Sequence, residues 1–195
     1  MSTTREKFLR TASQLMEKQG YHATGLNEII EKSGAPKGSL YYHFPGGKEQ
    51  IAVEVILQAG KSSAERILEK TRDQPSSAAA IRDFLYMVAK RMEETDYYTG
   101  STLTLVAMES TVQYGNINLA CRQAYGNLIN SFGQILSERG MDDAKARGIA
   151  EMIVAAVEGG IILSRTYHSA DHLRRVANHI HQMLKALESQ THGTV

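Results

Sequence analysis

The sequence has 195 residues and a formal net charge of +1, from 22 lysines and arginines against 21 acidic residues. This balance excludes a uniformly basic chain that coats nucleic acid, but it leaves room for a local basic patch. Cys121 is the single cysteine, which excludes an intramolecular disulfide and a multi-cysteine metal cage. No apolar run approaches the roughly 18 residues that span a membrane, and the N-terminus lacks a signal peptide's apolar core. We therefore expect a cytoplasmic protein without a membrane partner.

Apolar residues recur at helical spacing along most of the chain, and all three prolines lie within the first 75 residues. Since proline is costly inside helices, the pattern predicts an all-α fold of about nine helices. Their predicted bounds are 3–20, 24–33, 37–44, 48–72, 77–94, 102–113, 116–139, 142–168 and 171–188. Gly20 is expected to end the first helix and Thr24 to cap the second, with a loop at 96–101.

The second and third helices are joined by a short turn, residues 33–36, that contains glycine and proline. The first helix can pack across both, which is the layout of a helix-turn-helix. On a helical wheel of the third helix, Leu40 and Phe44 fall on one side, and Gly38 and Tyr42 fall opposite. The side with Leu40 and Phe44 is predicted to pack inward, and the other to meet the DNA major groove.

Positive charge is concentrated in the same segment. Residues 32 to 48 include no acid, and their charged or ionisable members are Lys32, Lys37, His43 and Lys48. Arg5, Lys7 and Arg10 make the start of the first helix basic as well, so it is expected to face a neighbouring phosphate. Such local charge beside a helix-turn-helix suits the phosphate backbone of DNA.

The run TGLNEII at residues 24–30 and the run GAPKGSLYYHF at 34–44 closely resemble the N-terminal signature of the TetR/AcrR family of bacterial transcriptional regulators. Pro36 stands where this family often has serine or threonine, and the run PGGK at 45–48 is one residue longer than the common pattern. These features and Glu158-Gly159-Gly160 resemble the subgroup of the LmrA and QdoR (YxaF) repressors. The resemblance implies an all-helical homodimer with an N-terminal three-helix DNA-binding head and a C-terminal helical body.

The same resemblance implies a DNA-binding domain over residues 2–63, with the helix-turn-helix motif at about 25–44, and a ligand-binding and dimerisation domain over 64–190. Carried over by position, the residues expected to contact DNA are Thr24, Lys37, Gly38, Ser39, Tyr41, Tyr42, His43 and Lys48. Lys37, Gly38 and Ser39 are expected nearest the bases, in palindromic half-sites of a double-stranded operator. Tyr41 can alternatively be half-buried packing, and Thr24 is expected to be a helix cap in either case.

The middle helices mix aromatic and methionine side chains with a few polar ones, which is typical of a pocket for a flat, largely apolar effector. The candidate pocket residues are Phe84, Met87, Leu105, Met108, Glu109, Cys121 and Tyr125. A plain hydrophobic core explains this composition almost as well. Glu109, an acid inside an apolar helix, either binds ligand or caps or pairs within the core.

The last two helices carry wide apolar stripes with small residues among them. A four-helix bundle between two copies is predicted through Ile153, Ala156, Val157, Gly160, Ile161, Val176, Ile180 and Leu184. Ordinary packing within one chain is the alternative interpretation.

No Gly-rich phosphate loop, G-x-S-x-G elbow or H-E-x-x-H motif is present, so neither an enzyme nor a cofactor is predicted. His168 and His172 lack an evident third ligand, and no metal site is predicted. The predicted function is a sequence-specific DNA-binding transcriptional regulator, a homodimeric repressor released from its operator by a small, largely apolar or aromatic ligand. The alternatives are a constitutive dimeric regulator without ligand response and an electrophile sensor based on Cys121.

Overall fold

A computed structural model describes residues 3–97, 102–110 and 115–191. These residues form helices and no strand, which confirms the all-α prediction. The helices are α1 (Thr4–Ala23), α2 (Leu26–Ser33), α3 (Lys37–His43), α4 (Gly47–Thr71), α5 (Ser77–Glu94), α6 (Thr102–Glu109), α7 (Gly115–Ser137), α8 (Asp143–Tyr167) and α9 (Asp171–Thr191). Their ends match the predicted bounds to within one helical turn, except that part of the predicted loop (98–101) and the end of the predicted sixth helix (111–113) lie outside the described residues. None of the described helices is both long and apolar enough to cross a membrane.

Side-chain caps explain where several helices begin. At α1, the Glu6 N–H donates to the Thr3 hydroxyl at 3.2 Å, and the Thr3 N–H donates to the Glu6 carboxylate at 2.8 Å. Ser76 caps α5 and Asp142 caps α8, each accepting at 3.1 Å from the backbone N–H three residues later. A cap of this kind stabilises a helix by about 1 kcal/mol.

The junction of α1 and α2 differs from the sequence expectation. Gly20 kinks α1 with a φ of 81°, but one more turn follows before the helix ends at Ala23. Gly25, not Thr24, is the N-cap of α2, and no side chain caps that end. The Thr24 hydroxyl instead donates to the Gly20 carbonyl at 2.7 Å, and the residue is fully buried. The predicted capping role of Thr24 is wrong because its hydroxyl closes the end of α1.

The chain divides into two compact units. The first comprises Met1–Ser62 and Gly100–Tyr125, and the second comprises Ser63–Thr99 and Gly126–Val195. Two helices, α4 and α7, each contribute residues to both units. In the first unit α1 packs against α2, α3 and α6, and in the second α9 packs against α5 and α8. The predicted domain boundary between residues 63 and 64 stays a prediction.

In the second unit, α8 is apolar on two sides. Its inner side packs on α9 at Gly160, where a Cβ would lie 3.0 Å from Leu173 Cδ1 and 3.3 Å from Val176 Cγ2. The missing side chain therefore allows the two helices to approach closely. On the other side Ile162 and Leu163 are each more than two-fifths exposed.

Candidate nucleic-acid interface

The recognition helix α3 is short and well bounded. Pro36, with a φ of −60°, is its N-cap, and Pro45 follows the C-cap residue Phe44. Leu40 and Phe44 have no exposed surface, whereas Tyr42 is 82% exposed. The inward and outward sides of this helix are therefore those that the helical wheel predicted.

Phe44 anchors the end of α3 to α1. Its ring meets the Phe8 ring edge to face, with centroids 6.3 Å apart. The Arg5 guanidinium lies 5.1 Å from the Phe44 ring centroid and forms an ion pair with Glu54 on α4. The sequence predicted that Arg5 faces a phosphate, but its guanidinium instead contacts Phe44 and Glu54 within the first unit.

The outward side of α3 is open. Lys37 and Gly38 are exposed, and Ser39 and His43 are partly exposed. Tyr41 is 50% exposed and is one of the exposed large side chains of this helix. The Ser39 hydroxyl donates to the Pro36 carbonyl at 2.6 Å, so its oxygen keeps only its acceptor capacity for a base amino group.

The positive charges of this segment are not equivalent. Lys32 pairs with Glu28 at 2.8 Å, one turn earlier on α2. Its hydrogen bond, and a second one from Gln19, lower the pKa of Glu28 and so favour the carboxylate form. For Lys37 no ion pair is seen among the residues that the structure describes. The charge of Lys32 is therefore shared with a carboxylate, whereas that of Lys37 has no such partner among the described residues.

Lys48 lies in the first turn of α4, beside the α1–α2 junction. Its ammonium donates to the His22 carbonyl at 3.2 Å and stands 4.3 Å from the centroid of the Tyr21 ring. Burial lowers the pKa of Lys48, and the Glu109 carboxylate partly opposes that shift. Thr24, also expected at the DNA, has no exposed surface.

Glu109, a predicted pocket residue, is the last residue of α6, and its carboxylate accepts from the His22 N–H at 2.9 Å. It thus contacts the same segment of the chain as Lys48. Sequence reasoning marked Glu109 as unusual for an apolar helix but did not find this partner, because a backbone N–H has no residue-type signature.

The seven candidate pocket residues fall in different units. Phe84 and Met87 belong to the second unit, and the other five belong to the first. The Phe84 ring packs edge to face on Phe132 at 6.2 Å, Met108 is 74% exposed, and Cys121 is buried. Burial raises the pKa of the Cys121 thiol to about 11.

None of the seven lines the groove of about 380 Å³ that the structure describes between α4 and α7 in the first unit. Its lining is Gly46, Glu49, Gln50, Val53, Leu57, Asn116, Leu119, Ala120 and Gln123. The Asn116 amide donates to Glu49 at 2.9 Å across it.

Most candidate interface residues are covered by their own chain. Ile153, Gly160, Ile161, Ile180 and Leu184 are buried in a single chain, and Ala156, Val157 and Val176 are partly exposed. Sequence reasoning missed the exposed apolar side of α8, formed by Met152, Ile162, Leu163 and Tyr167. Because α8 is apolar on both sides, its sequence alone does not show which side α9 covers.

An all-helical fold with an exposed, acid-free recognition helix defines a helix-turn-helix protein that binds DNA. Residues 8–55 match the family described as bacterial regulatory proteins, tetR family, and residues 77–179 match the C-terminal domain described as transcriptional regulator LmrA/YxaF-like. The chain belongs to the TetR family of DNA-binding transcriptional regulators, with an LmrA/YxaF-like C-terminal domain.

Full-length relatives agree with this assignment. The chain is 35% identical over 182 residues to the HTH-type transcriptional regulator LmrA of Bacillus subtilis, covering 93% of this chain and 97% of LmrA. It is 36% identical over 178 residues to YxaF of the same organism, covering 91% and 93%. Its fold is similar to that of B. subtilis FadR solved in complex with stearoyl-CoA, with a TM-score of 0.73, 16% identity, and coverage of 92% and 96%.

Proposed function

We propose that this regulator is a homodimeric repressor that leaves its operator when a small, largely apolar or aromatic molecule binds. The observation that carries the proposal is the open face of α3, a helix of seven residues. So short a helix reads few base pairs. Two copies on successive major grooves multiply the specificity, which favours palindromic half-sites.

The outer side of α8 supports the dimer. Met152, Ile162 and Leu163 form an exposed apolar stripe there, and Gly159 has no atom within 4 Å of the place where its Cβ would stand. A facing helix from a second copy can therefore approach this side closely and bury the stripe. The partly exposed Ala156 extends it, whereas Val157 packs with the buried Ile161 in the core of the second unit.

Release by a ligand is supported by family behaviour. TetR-family regulators bind small molecules, and the FadR structure of similar fold holds an acyl-CoA. In this chain the middle helices supply apolar and aromatic groups, among them Phe84, Met87, Leu105 and Tyr125. A ligand lowers operator affinity only if it binds the DNA-free conformation more tightly than the DNA-bound one.

Selection of bound fragments from genomic DNA tests the proposal and yields an operator duplex for later measurements. We expect a palindromic sequence, a protein dimer in sedimentation at micromolar concentration, and release by some members of a panel of apolar and aromatic molecules. A monomer bound to a single half-site would contradict the dimer. Operator affinity unchanged by every molecule shown to bind the protein would favour the constitutive alternative.

One substitution tests the dimer surface. Ile162→Glu places a charge in the exposed stripe of α8, and Lys145→Glu places one at an exposed position near the start of the same helix. We expect the first variant to sediment as a monomer and the second as a dimer. A dimer for Ile162→Glu would mean that this side of α8 is not the interface.

The sensor alternative makes a different prediction for Cys121, which is only 3% exposed. A thiol whose pKa is raised to about 11 stays protonated at neutral pH and is a poor nucleophile. We therefore expect N-ethylmaleimide to alkylate the folded protein at pH 7 much more slowly than it alkylates the urea-unfolded protein. Rapid alkylation at pH 7 with loss of operator binding would support the sensor.

A further inference from the structure

Two charged side chains from different helices hold the same short segment, Gly20–His22, at the α1–α2 junction. Glu109 at the end of α6 accepts from the His22 N–H at 2.9 Å. Lys48 at the start of α4 donates to the His22 carbonyl at 3.2 Å and covers the Tyr21 ring at 4.3 Å. Both backbone polar groups of one residue are thus bonded to ionisable side chains of opposite charge.

Gly20 makes room for this arrangement. Its φ of 81° is unfavourable for residues with a Cβ, and a Cβ there would overlap the Glu109 carboxylate, standing 2.9 Å from its Cδ. The Gly20 carbonyl is held by the Thr24 hydroxyl at 2.7 Å. Thr24 and Glu109 therefore hold the segment, and the carboxylate occupies the space that a side chain at residue 20 would need.

We propose that Glu109 is a positioning residue for DNA binding. Its carboxylate fixes the Gly20–His22 segment in the conformation on which Lys48 rests, and so presents the Lys48 ammonium to a DNA phosphate. The inference rests on the proposed DNA contact of Lys48 and adds to it a residue of α6, far outside the helix-turn-helix motif.

The local charges agree with this role. Burial lowers the pKa of Lys48, but the Glu109 carboxylate opposes the shift and favours the charged ammonium that a phosphate binds. The Glu109 charge is itself balanced by the His22 N–H and by Lys48, so it presents less repulsion to DNA than an unpaired carboxylate at this position.

The test is a double-mutant cycle on the duplex selected from genomic DNA with the wild-type protein. Dissociation constants are measured over a range of salt concentrations for Lys48→Met, Glu109→Ala and the double variant. Loss of one phosphate contact is expected to weaken binding about tenfold and to reduce the salt slope by about one. We expect both changes for Lys48→Met, and changes of the same sign for Glu109→Ala. The double variant should bind DNA no more weakly than the weaker-binding single variant.

Two further variants separate positioning from general damage. Glu138→Ala removes an exposed carboxylate at the end of α7 and is expected to bind as the wild type does. Glu109→Gln keeps an acceptor for the His22 N–H and is expected to restore most of the affinity lost in Glu109→Ala. Urea unfolding followed by circular dichroism shows whether each variant is folded in the absence of DNA.

The failures are distinguishable. If Lys48→Met binds weakly but Glu109→Ala keeps the affinity and the salt slope of the wild type, the positioning role alone is overturned. Fully additive losses of affinity in the double variant would overturn it as well. A folded Glu109→Gln as weak as Glu109→Ala would also contradict it. Wild-type binding by Lys48→Met would overturn the phosphate contact and the positioning role together, and failure of the wild type to select any duplex would overturn the proposed function.

Discussion

Two regions of the first unit that we propose to face DNA, α3 and the first turn of α4, differ in how their side chains are held. On α3, Tyr42 projects almost wholly into solvent and Lys37 is exposed. On α4, Lys48 is partly buried, with its ammonium on the Tyr21 ring and the His22 carbonyl. Among the described residues, the exposed side chains of α3 thus have no hydrogen-bond partner that fixes them, whereas Lys48, which we propose to contact a DNA phosphate, is held by the protein.

The largest effect is expected from Phe44→Ala, which removes the support common to both regions. The fully buried ring packs on Phe8 and under Arg5, which is paired with Glu54 on α4. Truncating such a ring costs about 3–5 kcal/mol of unfolding free energy. We expect a clearly lower urea midpoint and loss of operator binding. Wild-type stability would mean that α3 is held in place mainly by other contacts.

Tyr42→Ala removes an open side chain without touching the core. A weakening of operator binding by about tenfold is expected, with an unchanged melting temperature, because the ring is solvent-exposed in the DNA-free protein. Tyr86→Ala is the control, since it removes a partly exposed tyrosine of α5 whose hydroxyl bonds Asn178 in the second unit. Equal DNA affinity of both variants would show that the outward side of α3 is not the reading surface.

Thr24→Val tests whether the Thr24 hydroxyl stabilises the α1–α2 junction or contacts DNA. Losing the bond to the Gly20 carbonyl is expected to lower the unfolding free energy by about 1–2 kcal/mol, because that bond is buried. The salt dependence of DNA binding should stay as in the wild type, since the buried hydroxyl has no surface for a phosphate. A salt slope lower by about one would instead identify Thr24 as a phosphate contact.

The smallest effect is expected from Lys32→Ala. Its ammonium is paired with Glu28 on the surface, where solvent screening leaves such a pair with little effect on stability. We expect operator affinity within about twofold of the wild type, whereas Lys37→Ala should lower the salt slope by about one. If both variants lower the slope equally, the difference between paired and open lysines does not hold in the complex.

The sequence predicted α3 well because its determinants are local. Two prolines bracket the helix, and Leu40 and Phe44 mark the inner side by their spacing alone. The role of Thr24 was misjudged because both helix ends at that junction compete for one hydroxyl. Which end obtains it depends on the conformation of Gly20, which a cap pattern does not encode.

Contacts between distant segments were beyond prediction for a different reason. The partner of Glu109 is a backbone N–H 87 residues away, and every residue except proline has such a group. Likewise, α8 is apolar on two sides, and only the packing of α9 onto Gly160 shows which side is inner. Periodicity defines the faces of a helix, but it does not say which neighbour covers each face.

The backbone conformation of Gly20 also constrains how this protein and its relatives can diverge. With a φ of 81°, any side chain gained at position 20 strains the backbone, and shortening residue 109 relieves only the overlap with the Glu109 carboxylate. Across homologues glycine should therefore stay at position 20 even where residue 109 is small.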